Sequence, residues 1–242
     1  MPRFFVEEPS KVGGVIVLEG QDARHVAGAL RMKVGEPLTL CDGVGGDYAC
    51  TITAVERDRV TAVVDAVTAS VAEPSLSVTL YMGFPKGDKW DWIIQKSVEL
   101  GVTRLVPVVT ARSVARVDSK DAAKKQARWQ KIAAEAAGQS GRGIVPTVEL
   151  PLTFKQALSR WQSENTLLCY EGGGAPLGEL VSPAETAVSL VIGPEGGFAP
   201  EEVESVRDAG GRVATMGPRI LRCETAPLAA LTVLMERTDI ML

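Results

Sequence analysis

Val191-Ile192-Gly193-Pro194-Glu195-Gly196-Gly197-Phe198, in the last quarter of the chain, is the stretch whose reading decides the fold. Ala187 to Ile192 is a short apolar run, the pattern of a strand buried on both faces. It stops at Gly-Pro: proline has no N–H to continue a ladder, and glycine permits a sharp turn. A helix pattern follows. Met216-Gly217-Pro218-Arg219-Ile220-Leu221-Arg222-Cys223-Glu224-Thr225-Ala226 repeats the arrangement after Arg212 to Met216. Leu167-Leu168-Cys169-Tyr170-Glu171-Gly172-Gly173-Gly174 is a third apolar run ending in glycines. Strand, glycine turn and helix is how open α/β sheets build ligand sites at the carboxyl ends of their strands. Three such turns predict one shared crevice, although each alone also reads as a tight connection. The chain has no G-x-x-x-x-G-K-[ST] and no G-x-G-x-x-G after a strand, so the crevice is expected to take a compact ligand other than a nucleoside triphosphate.

Outward from these turns, strands and helices alternate back to Leu76. Strands are expected at Leu76 to Met82, Arg104 to Thr110, Thr147 to Leu150 and Thr166 to Tyr170. Helices are expected from about Asp88 to Gly101, from Asp118 or Ser119 to Gln139, over Phe154 to Trp161, over Pro200 to Ala209, and from near Glu224 to Arg237. That alternation means an α/β fold with a parallel sheet. Residues 1–70 read differently. Val15 to Leu18, Pro37 to Cys41, Tyr48 to Val55 and Val60 to Val67 are short β-branched runs between turn residues, interrupted by one helix from about Gln21 to Arg31. They predict a compact barrel, with the boundary in the small-residue stretch Ala69 to Ser75.

The 242 residues suit one large or two modest domains. With 45% hydrophobic residues but only 5% aromatic, the core must be filled by Ala, Val and Leu. The N-terminal MPRFFVEEPS has no long apolar segment and no run approaches a membrane span, so a cytoplasmic protein is expected. Cys41, Cys50, Cys169 and Cys223 lack C-x-x-C spacing and read as reduced thiols. His25 is the only histidine, so no metal site is expected, and it reads as a packing or capping residue. The net charge of −4 argues against a nucleic-acid partner until its distribution is considered. Residues 86–142 carry twelve Lys/Arg against six Asp/Glu, a basic block inside an acidic chain. Such a block is either a solvated helix surface or the face for a polyanion.

IGPEGGF at Ile192 to Phe198, taken with MGPRILRCETA at Met216 to Ala226, resembles the RsmE family of 16S ribosomal RNA uridine N3-methyltransferases. Met216 and Cys223 depart from that pattern, where leucine and threonine are common, but every charged and glycine position is kept. QKSVELGV at Gln95 to Val102, EAAGQSGR at Glu135 to Arg142 and HVAGALR at His25 to Arg31 extend the resemblance over nearly the whole chain. It implies a PUA-like β-barrel RNA-binding domain at 1–70. It also implies a SPOUT methyltransferase domain at 75–242, whose C-terminal segment threads a trefoil knot, an exception to the rule against threading. A homodimer with S-adenosylmethionine in the knot is implied as well.

On that implication the cofactor is held by Leu168, Glu171, Gly172, Ile192, Gly193, Pro194, Glu195, Gly196, Met216, Gly217, Ile220, Leu221, Thr225 and Ala226. Uridine N3 is a poor nucleophile until its proton leaves. Arg222 is expected to stabilise charge on the uracil carbonyls, and Glu224 or Glu195 to accept the proton. Glu224 also reads simply as a first-turn helix carboxylate favoured by the dipole. A paired uridine hides N3, so the base must be unpaired or flipped. Arg24, Arg31, Lys86, Lys96, Arg112, Gln139 and Arg142 are then the expected grip on the surrounding RNA. The other reading kept open is a non-catalytic RNA-binding ribosome-assembly factor on the same fold.

Overall fold

The computed structural model describes residues 3–115 and 119–238. Asp118, one of two caps expected for the long helix, lies outside them. Contacts divide the chain into two units, Met1–Glu73 with Ala137–Val145, and Pro74–Ala136 with Pro146–Leu242. The sequence predicts the segment 137–145 as part of the second domain, whereas its contacts group it with the first unit.

The first unit is a five-stranded sheet: β1 (Arg3–Phe5), β2 (Val15–Glu19), β3 (Pro37–Cys41), β4 (Gly46–Val55) and β5 (Arg59–Ala69), in the order β1-β3-β4-β5-β2. All pairs are antiparallel except β1 with β3. Alternate residues point inward, so Ile16, Leu18, Leu38, Leu40, Cys50, Ile52, Val60, Ala62 and Val64 form one core. β1 is missing from the sequence reading because three residues are too few to show a period. The expected helix over 21–31 is α1 (Gly20–Arg24) followed by a π-helical turn, His25–Ala29. It ends at Arg31 with φ +53°, in the left-handed region. His25 packs edge-on against Phe4, ring centroids 5.6 Å apart, which is a packing role.

Segment 137–145 is fastened to Glu73. One carboxylate oxygen accepts from the backbone N–H of Gly143 and Ile144 at 2.8 and 2.9 Å, and the other from the Arg142 guanidinium at 2.7 Å.

The second unit is a parallel sheet of eight strands among the described residues, β6 (Ser77–Gly83), β7 (Arg104–Val109), β8 (Thr147–Val148), β9 (Leu152–Thr153), β10 (Thr166–Cys169), β11 (Ala175–Pro176), β12 (Ala187–Ile192) and β13 (Arg212–Thr215). Their order is β11-β13-β10-β12-β6-β7-β8, with β9 also on β7. The helices are α2 (Lys89–Glu99), α3 (Ser119–Ser140), α4 (Phe154–Trp161), α5 (Pro200–Asp208) and α6 (Ala226–Thr238). β12 is inserted between β10 and β6, hydrogen-bonded on both sides. That is why five of its six residues are buried and the run shows no alternation. Val191 and Leu168 join Tyr81, Val106, Trp161, Phe198 and Val203 in one core cluster. α4 begins with a capping box, Thr153 bonding Gln156 N–H while Gln156 returns to Thr153 N–H. No helix among the described residues is long and apolar enough to cross a membrane.

Candidate functional site

The strand order puts β13, β10 and β12 side by side and parallel, so their carboxyl ends share one edge. The three glycine turns predicted to meet therefore do meet. They line a cavity of about 540 Å³, within the rough 300–1,000 Å³ range of small-molecule sites. Its walls are Cys169 to Glu171, Ile192 to Gly197, Thr215 to Glu224 and Ala226, with Lys89 entering from α2.

Two glycines are required here, Gly83 by space and Gly197 by its backbone conformation. A Cβ on Gly83, at the end of β6, would lie 2.3 Å from Pro194 Cδ and 2.4 Å from its backbone N. Gly197 has φ +65°, and a Cβ there would lie 2.3 Å from Glu171 Oε1. The turn after β12 is thus pressed against the end of β6, and its residues Gly193 to Gly197 line the crevice.

The electrostatics of the crevice centre on two carboxylates and one ammonium. Lys89 Nζ lies 3.0 Å from Glu224 Oε2 and 3.3 Å from Glu195 Oε1. The Cys223 thiol also donates to Glu224 Oε2, at 3.2 Å. The Glu224 carboxyl is pulled down to about 2, first by its own backbone N–H at the entry to α6 and then by Lys89. Burial works to raise the Glu195 carboxyl, but its own backbone N–H, that of Lys86 at 3.1 Å and the Lys89 ammonium outweigh it, so it too is lowered. Burial, then Glu224, pushes the Cys223 thiol up to about 12, so it is an inert thiol. Glu171, Arg219 and Arg222 also line the crevice, so its charged walls balance at three of each sign, with Lys89 shared between Glu195 and Glu224.

Most residues named from the sequence fall on this cavity: Glu171, Ile192, Gly193, Pro194, Glu195, Gly196, Met216, Gly217, Ile220, Leu221, Arg222, Glu224 and Ala226. Three do not. Leu168 is fully buried in the core beneath the crevice, and the wall there is Cys169 and Tyr170. Gly172 lies just outside the lining. Thr225 is exposed, and its N–H closes the turn onto Arg222 O at 2.8 Å. Ile220 is 85% exposed at the rim, an apolar side chain offered outward. Lys89 was missed, because it sits in a separate segment and only the folded chain brings it to the turns. The one signal in the sequence was a lysine at the first position of a helix, where the dipole disfavours a cation.

The expected RNA contacts divide. In the second unit Lys86 and Arg112 are exposed beside the turn after β12, Arg112 donating to Gly196 O at 3.0 Å. Lys96 is half-buried and paired with Glu99 at 2.8 Å. In the first unit Arg24, Arg31 and Gln139 are exposed, Arg24 lying 3.4 Å from Asp58. Arg142 is a correction. It is 2% exposed and ion-paired with Glu73, so it is an internal tether and cannot grip RNA from this position.

The architecture defines a class: an α/β protein with a ligand crevice at the carboxyl ends of parallel strands, joined to a small β unit. Residues 72–235 match the RNA methyltransferase domain family, and residues 18–65 the RNA methyltransferase PUA domain family. The chain is similar to the ribosomal RNA small subunit methyltransferase E of Bacillus subtilis (strain 168), 36% identical over 100% of this chain and 98% of that one. It is also similar to the protein of the same name from Mycobacterium tuberculosis, 31% identical over 98% and 93%. Among solved structures it is similar to a ribosomal RNA small subunit methyltransferase E from Neisseria gonorrhoeae bound to S-adenosyl methionine. That likeness has a TM-score of 0.90 and 36% identity over the full length of both chains. The chain belongs to the RNA methyltransferase family, in the group of the ribosomal RNA small subunit methyltransferases E.

Proposed function

We propose that this enzyme transfers the methyl group of S-adenosylmethionine to N3 of one uridine of 16S ribosomal RNA, in the small ribosomal subunit, in the cytoplasm. We also propose that it works as a homodimer and that its C-terminal segment threads a trefoil knot. Residues 1–70 act as a PUA-like RNA-binding domain and 75–242, apart from the segment 137–145 that groups with the first unit, as the methyltransferase domain. The observation that carries the reading is the single cavity into which all three glycine turns open.

The residues present fit that cofactor. The volume suits a small ligand, glycines at 193, 196 and 217 leave backbone free for close approach, and Ile192 and Leu221 give apolar wall. Bound there, S-adenosylmethionine supplies a methyl group on a sulfonium, transferable without a metal. The turns at Glu171, Gly193 to Gly196 and Met216 to Leu221 hold it, and Ala226 closes the end at α6. Gly172 and Thr225 shape those turns from outside the lining, and Leu168 supports them from below.

Arg222 is exposed at the rim and has no ion pair among the described residues. It stabilises negative charge on the uracil carbonyls as the N3 proton leaves. Glu195 and Glu224 are both ionised at neutral pH and able to accept that proton. Glu195 is the better acceptor, since a carboxylate held near 2 is a weak base. Lys86, Lys96 and Arg112 in the second unit, and Arg24, Arg31 and Gln139 in the first, hold the RNA by its phosphates and base edges.

Mass mapping of 16S ribosomal RNA from cells with and without the gene tests the reading. One methylated uridine should disappear with the gene. The Arg222→Ala enzyme should bind the cofactor nearly as the parent does and lose about 100-fold in kcat, the scale of one lost charge-stabilising donor. Full turnover by Arg222→Ala would remove Arg222 from the chemistry.

A further inference from the structure

Lys89 stands where a lysine is not expected on stability grounds. It is the first residue of α2, so the helix dipole disfavours its charge. Its side chain is only 32% exposed and reaches the crevice, where Nζ meets Glu224 at 3.0 Å, Glu195 at 3.3 Å and the Cys223 sulfur at 3.7 Å. The two carboxylates come from different turns, one after β12 and one before α6. Glu195 Oε1 is also held by the Lys86 N–H at 3.1 Å, just ahead of α2. Three segments distant in sequence are therefore cross-linked at one nitrogen. Without an intervening cation, two neighbouring carboxylates repel, and each turn loses its partner.

We infer that Lys89 is a positioning residue of the methyl-transfer site: it draws Glu195 and Glu224 together and so fixes the two turns that enclose the cofactor crevice. The inference rests on the methyltransferase reading above. Lys89 faces Glu195 from the turn after β12, and Cys223 and Glu224 from the turn before α6. It is the cation the two carboxylates share. Removing its charge makes both easier to protonate, so the acid limb of the rate profile moves to higher pH.

The test uses the full chain as wild type, Lys89→Met and Lys89→Arg. S-adenosylmethionine binding is measured by calorimetry. KM for the cofactor and kcat are measured on small subunits from cells lacking the gene, across the acid-to-neutral range. Lys89→Met should raise KM for the cofactor about tenfold, with a smaller fall in kcat, as expected for a lost charge-assisted contact. It should also move the acid limb up by about one pH unit or more. Lys89→Arg should restore both. If Lys89→Met fails to fold, Lys89→Gln keeps a hydrogen-bond donor without the charge and should still shift the acid limb. A wild type that neither binds the cofactor nor methylates the RNA overturns the methyltransferase reading and the inference with it. An active wild type whose Lys89→Met or Lys89→Gln variant keeps the parental KM and acid limb overturns the positioning role alone.

Discussion

Glu224 shows how the crevice sets the chemistry of a single residue. Its carboxyl is lowered from 4.5 to about 2 by the helix-entry N–H and by Lys89. A carboxyl whose folded pKa is depressed adds stability above its unfolded value and loses it as pH falls through the folded one. The contribution is therefore complete at neutral pH and fades between about pH 4.5 and 2. We predict that Glu224→Gln melts below the parent at neutral pH, and that the gap narrows as thermal melts are repeated down through that window. A gap independent of pH would mean that Glu224 does not hold the turn by charge. The sequence made Glu224, Glu195 and Arg222 legible because they sit inside recognisable turns. It could not show Lys89, 134 residues from Cys223, nor that Arg142 is buried against Glu73, because both pairings exist only after folding. From sequence, Arg142 looks like any other cation of the basic block.

At the scale of elements, β12 and the turn after it carry the site. The strand is wedged between β10 and β6, and Gly83 at the end of β6 touches Pro194 so closely that no side chain fits. We predict that Gly83→Ala, which does not line the cavity, destabilises the fold by about 1–3 kcal/mol through overpacking. It should also weaken S-adenosylmethionine binding by about tenfold or more, because it displaces the Pro194 backbone and the turn with it. Parental affinity by calorimetry would show that the turn has slack. The long strands and most of the helices were legible because the runs ending at Gly83, Gly193 and Gly217 stop at glycine and the helices show their period. The two-residue strands β9 and β11 were not, being too short for any period. The π-helical turn at His25–Ala29 was not, since its residues read as ordinary helix. The strand order was not either: the shared crevice followed from three similar turns, whereas the insertion of β12 is a tertiary fact.

At the scale of the whole molecule, a net charge of −4 coexists with the basic block at 86–142. Part of that block is neutralised internally, by Arg128 on Asp91, Lys131 on Glu135 and Arg142 on Glu73. Lys86, Arg112 and Lys124 remain exposed. We predict that affinity for a ribosomal RNA fragment falls at least about tenfold between 50 and 200 mM salt, as counterions compete for phosphate. An affinity flat over that range would make the block an ordinary solvated surface. The central claim is that the turns at three adjacent strand ends, those after β12 and β13 bared by glycine, enclose a sulfonium donor. The most direct test is a crystal structure of this chain with S-adenosylmethionine. We predict the ligand against Glu171, Gly193 to Gly197 and Met216 to Ala226, with Lys89 still between its two carboxylates. A ligand bound anywhere else on the chain would contradict the claim.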